Sequence, residues 1–459
     1  MPEIYLTNTL THKKEKFEPI NGRKVNLFVC GPTVYDYSHL GHAKTYIQFD
    51  LLVRYLRFIG FDVFYLQNIT DLDDKILTRA KEQGTTWKEL AEKYEKLYLA
   101  DMKKLNNTSV TKYARATDYI DKMVKQIKVL MDKGFAYKIN DGIYFEISKF
   151  PDYGKLSGRT ELEKTDAVSR IDENSQKRGW NDFCLWKFSK PDEPSWKAEF
   201  GDGRPGWHIE DTAITEAFFG PQYDIHGGAV DLIIPHHEAE IAQMEAASGK
   251  KPLVRYWIHA AFLVVDGKKM SKSLGNFFTI NDVVNKGFEP MDLRYLMLNS
   301  QYRETLNFTW DSLKAAENGL LKLKSQISDL RSGDDRTTLS PEKETKIEDF
   351  RNGFKAALVD DLNTPKALAV MWEMLKSNIP SEDKYDLAMS FDEVLGLRLA
   401  QIPNSKFQIP NEIKKLVEER EKLRKEEKFK EADEVRDKIE KLGFRIEDSE
   451  TGPAVKPVK

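Results

Sequence analysis

The sequence predicts an α/β protein: a parallel-sheet core split by a connective insertion and followed by an all-α C-terminal region. Three observations lead there. The apolar run Val25, Leu27, Phe28, Val29 and the later run FDVFYLQNIT flank a helical pattern, which is the strand–helix–strand order of a parallel sheet. Apolar runs and glycines return between residues 201 and 262, after a loop-rich aromatic stretch, as a second α/β layer. Beyond Trp310 the chain reads as amphipathic helices separated by polar linkers.

Taken in order, residues 1–21 are polar and read as loop. The first strand is apolar at consecutive positions, so it is expected to be buried on both faces, and Gly31-Pro32 ends it. Thr45, Tyr46, Phe49, Leu52, Tyr55 and Leu56 follow at helical spacing, then the second strand, ending at Asn68 and Thr70. DLDDKILTRAKEQ opens a helix with carboxylates at its positive end. From Thr85 to Lys138 the pattern is mainly helical, and DGIYFEIS and DFCLWKF read as short strands of the insertion. GRPGWHIED, YDIHGGAVDLIIPHHEAEIAQ and VRYWIHAAFLVV resume the core. In the last third, EIKKLVEEREKLRKEEKFKEADEVRDKIEKLGF reads as one helix with an apolar stripe of Ile413, Leu416, Val417, Leu423, Ala432, Val435 and Ile439. The expected boundaries are 1–104 and 201–262 for the two halves of the core, 105–200 for the insertion, 263–314 for a lysine-bearing loop and stem-contact region, 315–400 for a helical domain and 401–459 for a C-terminal helical subdomain.

Composition excludes several classes. A chain of 459 residues with a net charge of −3 carries no global basic field, so any RNA contact must come from local surface. MPEIYLTNTLTHKKEKF lacks the apolar core of a signal peptide and no run is long enough to span a bilayer, so a soluble cytoplasmic protein without membrane partners is expected. Two cysteines, Cys30 and Cys184, exclude a disulfide framework and fit a reducing compartment. Cys184 sits at a core position of its strand.

Two stretches carry chemistry. FVCGPTVYDYSHLGHA delivers His39 and His42, separated by Leu40 and Gly41, to a helix start, where unpaired backbone N–H groups suit phosphate. KKMSKSLGN places Lys269 and Lys272 on a serine- and glycine-flanked loop, expected to be flexible, that can close over a polyphosphate. Either motif alone is a weak signal. Together they resemble the signatures of the class I aminoacyl-tRNA synthetases, which form an aminoacyl-adenylate from ATP and pass the acyl group to tRNA. With Cys30 before Gly31-Pro32-Thr33-Val34-Tyr35-Asp36, and with NITDLDDKI, GRPGWHIE, YDIHGGAVDL, PHHEAEIAQ and KMSKSLGNF, the chain resembles the cysteinyl-tRNA synthetase family over nearly its whole length.

That resemblance implies a Rossmann-like catalytic core, activation of L-cysteine with Mg2+-ATP, transfer to tRNA(Cys), and action as a monomer. It implies an ATP site of Pro32, Thr33, His39, Gly41, His42, Lys269, Ser271 and Lys272, in which His39 and His42 hold phosphates and Lys272 stabilises the leaving pyrophosphate. Gly31, Thr70, Trp207 and Asp231 would surround the amino acid, with Asp231 facing its amino group. It further implies one zinc ion that ligates the substrate thiolate and so separates cysteine from serine, a distinction an apolar pocket makes poorly. The matching ligands are Cys30, His236 and Glu240; where the family has a second cysteine this chain has Asp211, itself a competent zinc ligand. His237 is expected beside the metal or at the surface. Ala229 stands where a third glycine is usual and is expected to crowd the ribose. No editing site is expected in the insertion. Arg420, Arg424, Lys425, Lys428 and Arg436 are candidate phosphate contacts to tRNA. The rival readings are a cysteine:amino-sugar ligase on the same core and a non-catalytic nucleotide- or RNA-binding derivative.

Overall fold

The computed structural model describes residues 3–159, 174–330, 339–401, 411–426, 428–442, 444–449 and 452–457. Two compact units divide the chain, residues 1–399 and 400–459.

The first unit begins with a hairpin, β1 (Tyr5–Asn8) and β2 (Lys13–Lys16), where the polar sequence reads as loop. The main sheet takes β3 (Lys24–Val29), β4 (Asp62–Ile69), β5 (Lys112–Arg115), β10 (Tyr223–Ala229) and β11 (Val254–Ala260) in the order β11-β10-β3-β4-β5, every pair parallel. β5 falls inside the stretch that reads as helical. At four residues it is too short for periodicity to separate it from its neighbours.

The first strand is covered on both sides, as its unbroken apolar run predicts. Val25, Leu27 and Val29 join one core with α1 (Leu40–Phe58), and Phe28 joins the opposite core with α5 (Trp207–Phe219) and α6 (Glu238–Ser248). From β3 the chain runs through α1 to β4 on one side, while β10 leads to β11 on the other. The strand order therefore reverses between β3 and β10, and a crevice opens at their C-terminal ends.

Between β4 and β5 lie α2 (Asp74–Gln83) and α3 (Trp87–Lys104). After β5, α4 (Ile120–Asp132) leads into an antiparallel sheet of β6 (Ala136–Lys138), β7 (Gly142–Phe145), β8 (Phe183–Phe188) and β9 (Gly203–Pro205). Cys184 is buried on β8, as its core position predicts. Past β11, β12 (Leu263–Val265) pairs antiparallel with β13 (Lys268–Lys269) and parallel with β14 (Leu306–Phe308). Helices α7 (Ile280–Asn285), α8 (Pro290–Leu298), α9 (Trp310–Leu330), α10 (Pro341–Val359), α11 (Thr364–Lys376) and α12 (Ser381–Leu395) complete the unit. No helix among the described residues is long and apolar enough to cross a membrane.

The second unit is a helical hairpin, α13 (Asn411–Lys425) and α14 (Phe429–Lys441), followed by a β-hairpin of β15 (Phe444–Ser449) and β16 (Gly452–Pro457). The single long helix read from sequence is two. Ile413, Val435, Ile439 and Ile446 are buried together with Leu416, Val417 and Leu423 packed against them. The apolar stripe is thus the seam between the two helices, not a face turned to solvent.

Candidate active site and metal cluster

The first signature is a helix cap made of two imidazoles. His39 is the N-cap of α1, with extended backbone angles (φ −99°, ψ 169°), and its Nδ1 accepts from the His42 backbone N–H at 3.3 Å. His42 Nδ1 in turn accepts from the His39 N–H at 3.4 Å, and the rings stack at 3.7 Å. Both Nδ1 atoms accept, so the neutral rings carry their protons on Nε2. Burial, then the neighbouring His39, pushes the His42 pKa well below the ordinary histidine value and keeps that ring neutral. A Cβ at Gly41 would sit 2.9 Å from the His39 ring, which is why the residue between the histidines has no side chain.

The second signature begins as a hairpin. Asp266 (φ 49°) and Gly267 (φ 72°) form the left-handed two-residue turn that Asp-Gly favours between β12 and β13. Past β13, the Ser271 N–H donates to Asn276 Oδ1 at 2.8 Å, and Asn276 Nδ2 donates to the Lys269 carbonyl at 3.2 Å. The stretch expected to be a flexible loop is therefore tied at both ends by Asn276. Lys269 lines the cavity described below. Ser271 is not among the cavity's lining residues; its hydroxyl bonds Ser273 at 2.7 Å. Lys272 lies in a short 3-10 turn, and its side chain is outside the described residues. A lysine not singled out in the sequence ties the helix of the first signature to the segments leading into β12 and β14. Lys44 on α1 is buried and donates to the carbonyls of Ala261 (2.7 Å), Phe262 (3.1 Å) and Glu304 (2.7 Å); burial brings its pKa down to about 8.

Both signatures open on one cavity of about 330 Å³ at the β3/β10 crevice. It is lined by Gly31, Pro32, Thr33, His39, Gly41, His42, Thr70, Trp207, Asp231 and Lys269, and also by Cys30, Asp211 and His236. Gly31 is fixed there by close approach. Its N–H donates to Asn68 Oδ1 at 2.5 Å, and a Cβ would fall 1.7 Å from the Asn68 carbonyl oxygen. Thr70 does not cap a helix; its hydroxyl donates to Glu210 at 2.9 Å, and α2 is capped by Asp73 instead. Trp207 opens α5 with its ring stacked on His236 at 4.0 Å. Asp231, on a 3-10 turn after β10, is exposed to the cavity, and Ala229 lines it.

Below the cavity lies a buried cluster of metal-ligating types. Strand alternation turns Cys30 to the same side as Phe28, toward α5 and α6. Asp211 comes from the first turns of α5. Glu240 is in the first turn of α6, and His236 lies in the preceding turn, one residue before the N-cap His237. His236 Nε2 lies 2.9 Å from Asp211 Oδ2 and 3.2 Å from Glu240 Oε1, and the Glu240 oxygen is 3.9 Å from Cys30 Sγ. The i, i+4 spacing of His236 and Glu240 thus does bring them together. Asp211 is held from behind by Asn68 Nδ2 at 2.6 Å.

Five of the chain's eight histidines converge on this cluster. His226 and His237 approach Cys30 Sγ through Nε2 at 3.3 and 3.2 Å, while His208 meets His236 and His259 meets His237, each at 2.8 Å. His237 is fully buried rather than at the surface. His226, His208, His259, Asn68 and Glu210 were not singled out in the sequence. For His226 the signal lies in register: it is paired with Phe28 across β3 and β10, hence on the Cys30 side, and that pairing is a tertiary fact.

The electrostatics of the cluster suit a cation. Burial, then Asp211 and Glu240, drives the Cys30 thiol well above its ordinary pKa; burial and then Asp211 do the same to Glu240. Glu240 Oε2 is buried with no hydrogen-bond partner. Burial and the neighbouring rings hold His226 and His237 far below the usual histidine value, hence neutral and able to donate lone pairs. One thiol, neutral imidazoles and carboxylates packed together, with no lysine or arginine bonded to them among the described residues, are costly as protein and fit a divalent, sulfur-tolerant ion.

Comparison with known proteins gives the same direction. A family model described as "tRNA synthetases class I (C) catalytic domain" matches residues 16–318, and a "DALR domain" model matches residues 353–378. Cysteine–tRNA ligase of Thermococcus gammatolerans is 42% identical, covering 99% of this chain and 99% of that protein. The cysteine–tRNA ligase of Thermoplasma acidophilum is 44% identical over 96% of this chain and 97% of its own length. Among solved structures, Mycobacterium tuberculosis methionyl-tRNA synthetase in complex with methionyl-adenylate superposes with a TM-score of 0.57 at 15% identity, covering 82% of this chain and 90% of that one, a likeness of fold. With its catalytic region matched by a class I synthetase model and nearly all of its length aligned to cysteine–tRNA ligases, the chain belongs to the cysteine–tRNA ligase family of class I aminoacyl-tRNA synthetases.

Proposed function

We propose that this chain activates L-cysteine with ATP to cysteinyl-adenylate and transfers the cysteinyl group to the 3′ end of tRNA(Cys), as a monomer in the cytoplasm. The observation that carries the reading is that the histidine cap, Lys269 and the thiol–imidazole–carboxylate cluster all reach one cavity of about 330 Å³. ATP, arriving with Mg2+, lies along Pro32, Thr33 and the start of α1. There His39 and His42 each present an Nε2–H to the phosphates as the cysteine carboxylate attacks the α-phosphorus. Lys269, with Ser271 and Lys272 from the same stretch, balances the charge that collects on the leaving pyrophosphate. Positioning and charge stabilisation then supply most of the rate, and little proton transfer by side chains is needed.

The amino acid sits against Gly31 and Trp207, with Thr70 beside it and its ammonium toward Asp231. Its sulfur points at Cys30, Asp211, His236 and Glu240. These four would hold a zinc ion, which when bound ligates the substrate sulfur and favours its thiolate form. Serine lacks such a soft donor, so it loses the interaction that holds cysteine. Cysteine-dependent exchange of labelled pyrophosphate into ATP, run beside serine, tests the reading. Exchange with cysteine at least about a hundredfold above serine is expected; exchange with neither at full zinc loading would overturn it.

A further inference from the structure

Cys30 and Glu240 belong to two overlapping sets of donors. With Asp211 and His236 they form one; with His226 and His237 they form another, and in each set the ligand atoms lie within 4.8 Å of one another. Asp211 and His236 line the cavity, while His226 and His237 do not and are wholly buried. The second set is therefore an inner one, behind the first.

The inner set has the marks of a seat built for an ion. A zinc at ~2.3 Å from sulfur and ~2.0–2.1 Å from nitrogen, in a tetrahedron, needs its S and N ligands about 3.5 Å apart. The two Nε2 atoms stand 3.3 and 3.2 Å from Cys30 Sγ, so an ion is admitted by shifts of a few tenths of an ångström. Each ring is aimed by its other nitrogen: His226 Nδ1 meets the Tyr223 hydroxyl at 2.6 Å, and His237 Nδ1 meets His259 at 2.8 Å. His259 is anchored in turn by Thr9 at 2.7 Å. Such backing is what metal-bound histidines have. Glu240 adds a buried oxygen, Oε2, without a hydrogen-bond partner and 3.5 Å from His226 Nδ1, while its other oxygen lies 3.9 Å from Cys30 Sγ. A thiol proton, moreover, can serve only one of the two imidazoles that face it, whereas an ion takes a lone pair from both.

The donor sets also differ in softness. The cavity-facing set offers one sulfur, one imidazole and two carboxylates; the inner set offers one sulfur, two imidazoles and one carboxylate. Zinc, a borderline-soft ion, favours the second until another sulfur enters the first. We propose that the ion has two mutually exclusive seats. It rests on Cys30, His226, His237 and Glu240 when the cavity is empty, and moves to Cys30, Asp211, His236 and Glu240 when a substrate thiolate supplies a second sulfur there. The thiol's proton is released to solvent as the S–Zn bond forms. This inference rests on the zinc reading above.

X-ray absorption at the zinc edge tests it on the full chain loaded with one equivalent of zinc, with and without L-cysteine. Before cysteine the expected shell holds one sulfur and two imidazoles, and after it two sulfurs and one imidazole. His226→Gln should remove one imidazole from the first spectrum and none from the second, with thermal unfolding confirming that the variant folds. His237→Asn gives the same comparison if that variant is unfolded. Zinc bound with a single imidazole before cysteine, a shell that cysteine leaves with both imidazoles, or two ions per chain when a second equivalent is offered overturns the two-seat arrangement and leaves the zinc reading standing. A wild-type chain that binds no zinc overturns both.

Discussion

Asp211 is the second carboxylate, beside Glu240, in the proposed ligand set of Cys30, Asp211, His236 and Glu240. Asn68 and His236 already orient it, so the carboxylate is preorganised. With L-cysteine bound, Asp211→Ala is expected to weaken zinc binding about 10- to 100-fold or more, and Asp211→Cys to strengthen it, read by competition with a chromophoric chelator. An unchanged affinity in the alanine variant with L-cysteine present would remove Asp211 from the ligand set. Gly31 presents a steric rule instead of an electrostatic one: with the Asn68 carbonyl 1.7 Å from where a Cβ would lie, Gly31→Ala must push β3 and β4 apart at the crevice. A loss of about 3 kcal/mol or more in urea unfolding is expected, together with weaker cysteine binding. Single residues were legible in the sequence where they sat inside a motif, as Cys30, His39, His42, His236 and Glu240 did. His208 and His226 lie within GRPGWHIE and YDIHGGAVDL but nothing local marks them as facing the thiol, and His259 lies on a strand that reads as core; only the lateral pairing of β10 with β3 brings His226 to the thiol. Arg420, a candidate tRNA contact, is almost fully buried beside Glu421, while Arg424, Lys428 and Arg436 are exposed.

Among the elements, α1 and α8 are coupled by a buried ion pair that the sequence did not suggest. Arg294 on α8 donates to Asp50 on α1 at 2.7 Å, to the Leu105 and Leu395 carbonyls, and to Asn107. Asp50 also accepts from the Thr108 and Ser109 backbone. The helix bearing the histidine cap is thereby fixed against three other segments. Arg294→Met is expected to cost about 3 kcal/mol in chemical denaturation, near the low end for breaking a buried pair because Arg54 remains on Asp50 at 2.7 Å. The start of α8 supplies a pH dependence. Burial raises Asp292 from 3.8 to about 6, so the folded chain keeps a proton in that window that the unfolded chain has lost. The stabilisation is complete below the lower value and is lost as pH rises through the upper one. Asp292→Asn, which can still accept from the Glu289 N–H, should therefore gain on wild type between about pH 4 and about pH 7, by at most about 3 kcal/mol in paired unfolding curves. A constant difference across that range would show that Asp292 does not titrate there. Long periodic helices and the strand–helix–strand start were readable because their apolar spacing repeats. The β1–β2 hairpin and β5 were not, being four residues each and partly polar, and the break between α13 and α14 is masked by uninterrupted charged residues of high helix propensity.

Across the whole molecule, the cavity lies entirely within the first unit, and its walls are drawn from residues 30 to 277. That unit also ties its helical part to the sheet. Asp361, held with a positive φ of 56° before α11, accepts from Thr7 of β1 and from Tyr302 and Arg303, so the segment between α10 and α11 clamps the N-terminal hairpin to the residues leading into β14. Residues 400–459 have their own small core of Ile413, Val435, Ile439 and Ile446, and none of the described residues among them lines the cavity. Adenylate formation should then survive without them, while the longer-range contact with tRNA should not. A chain ending at Leu399 is expected to keep cysteine-dependent pyrophosphate exchange within about threefold of the full chain, and to lose about tenfold or more in kcat/KM for tRNA aminoacylation, some 1.4 kcal/mol of binding. Equal losses in both reactions would mean that the second unit supports the fold of the first; no loss in either would mean that tRNA is held by the first unit alone.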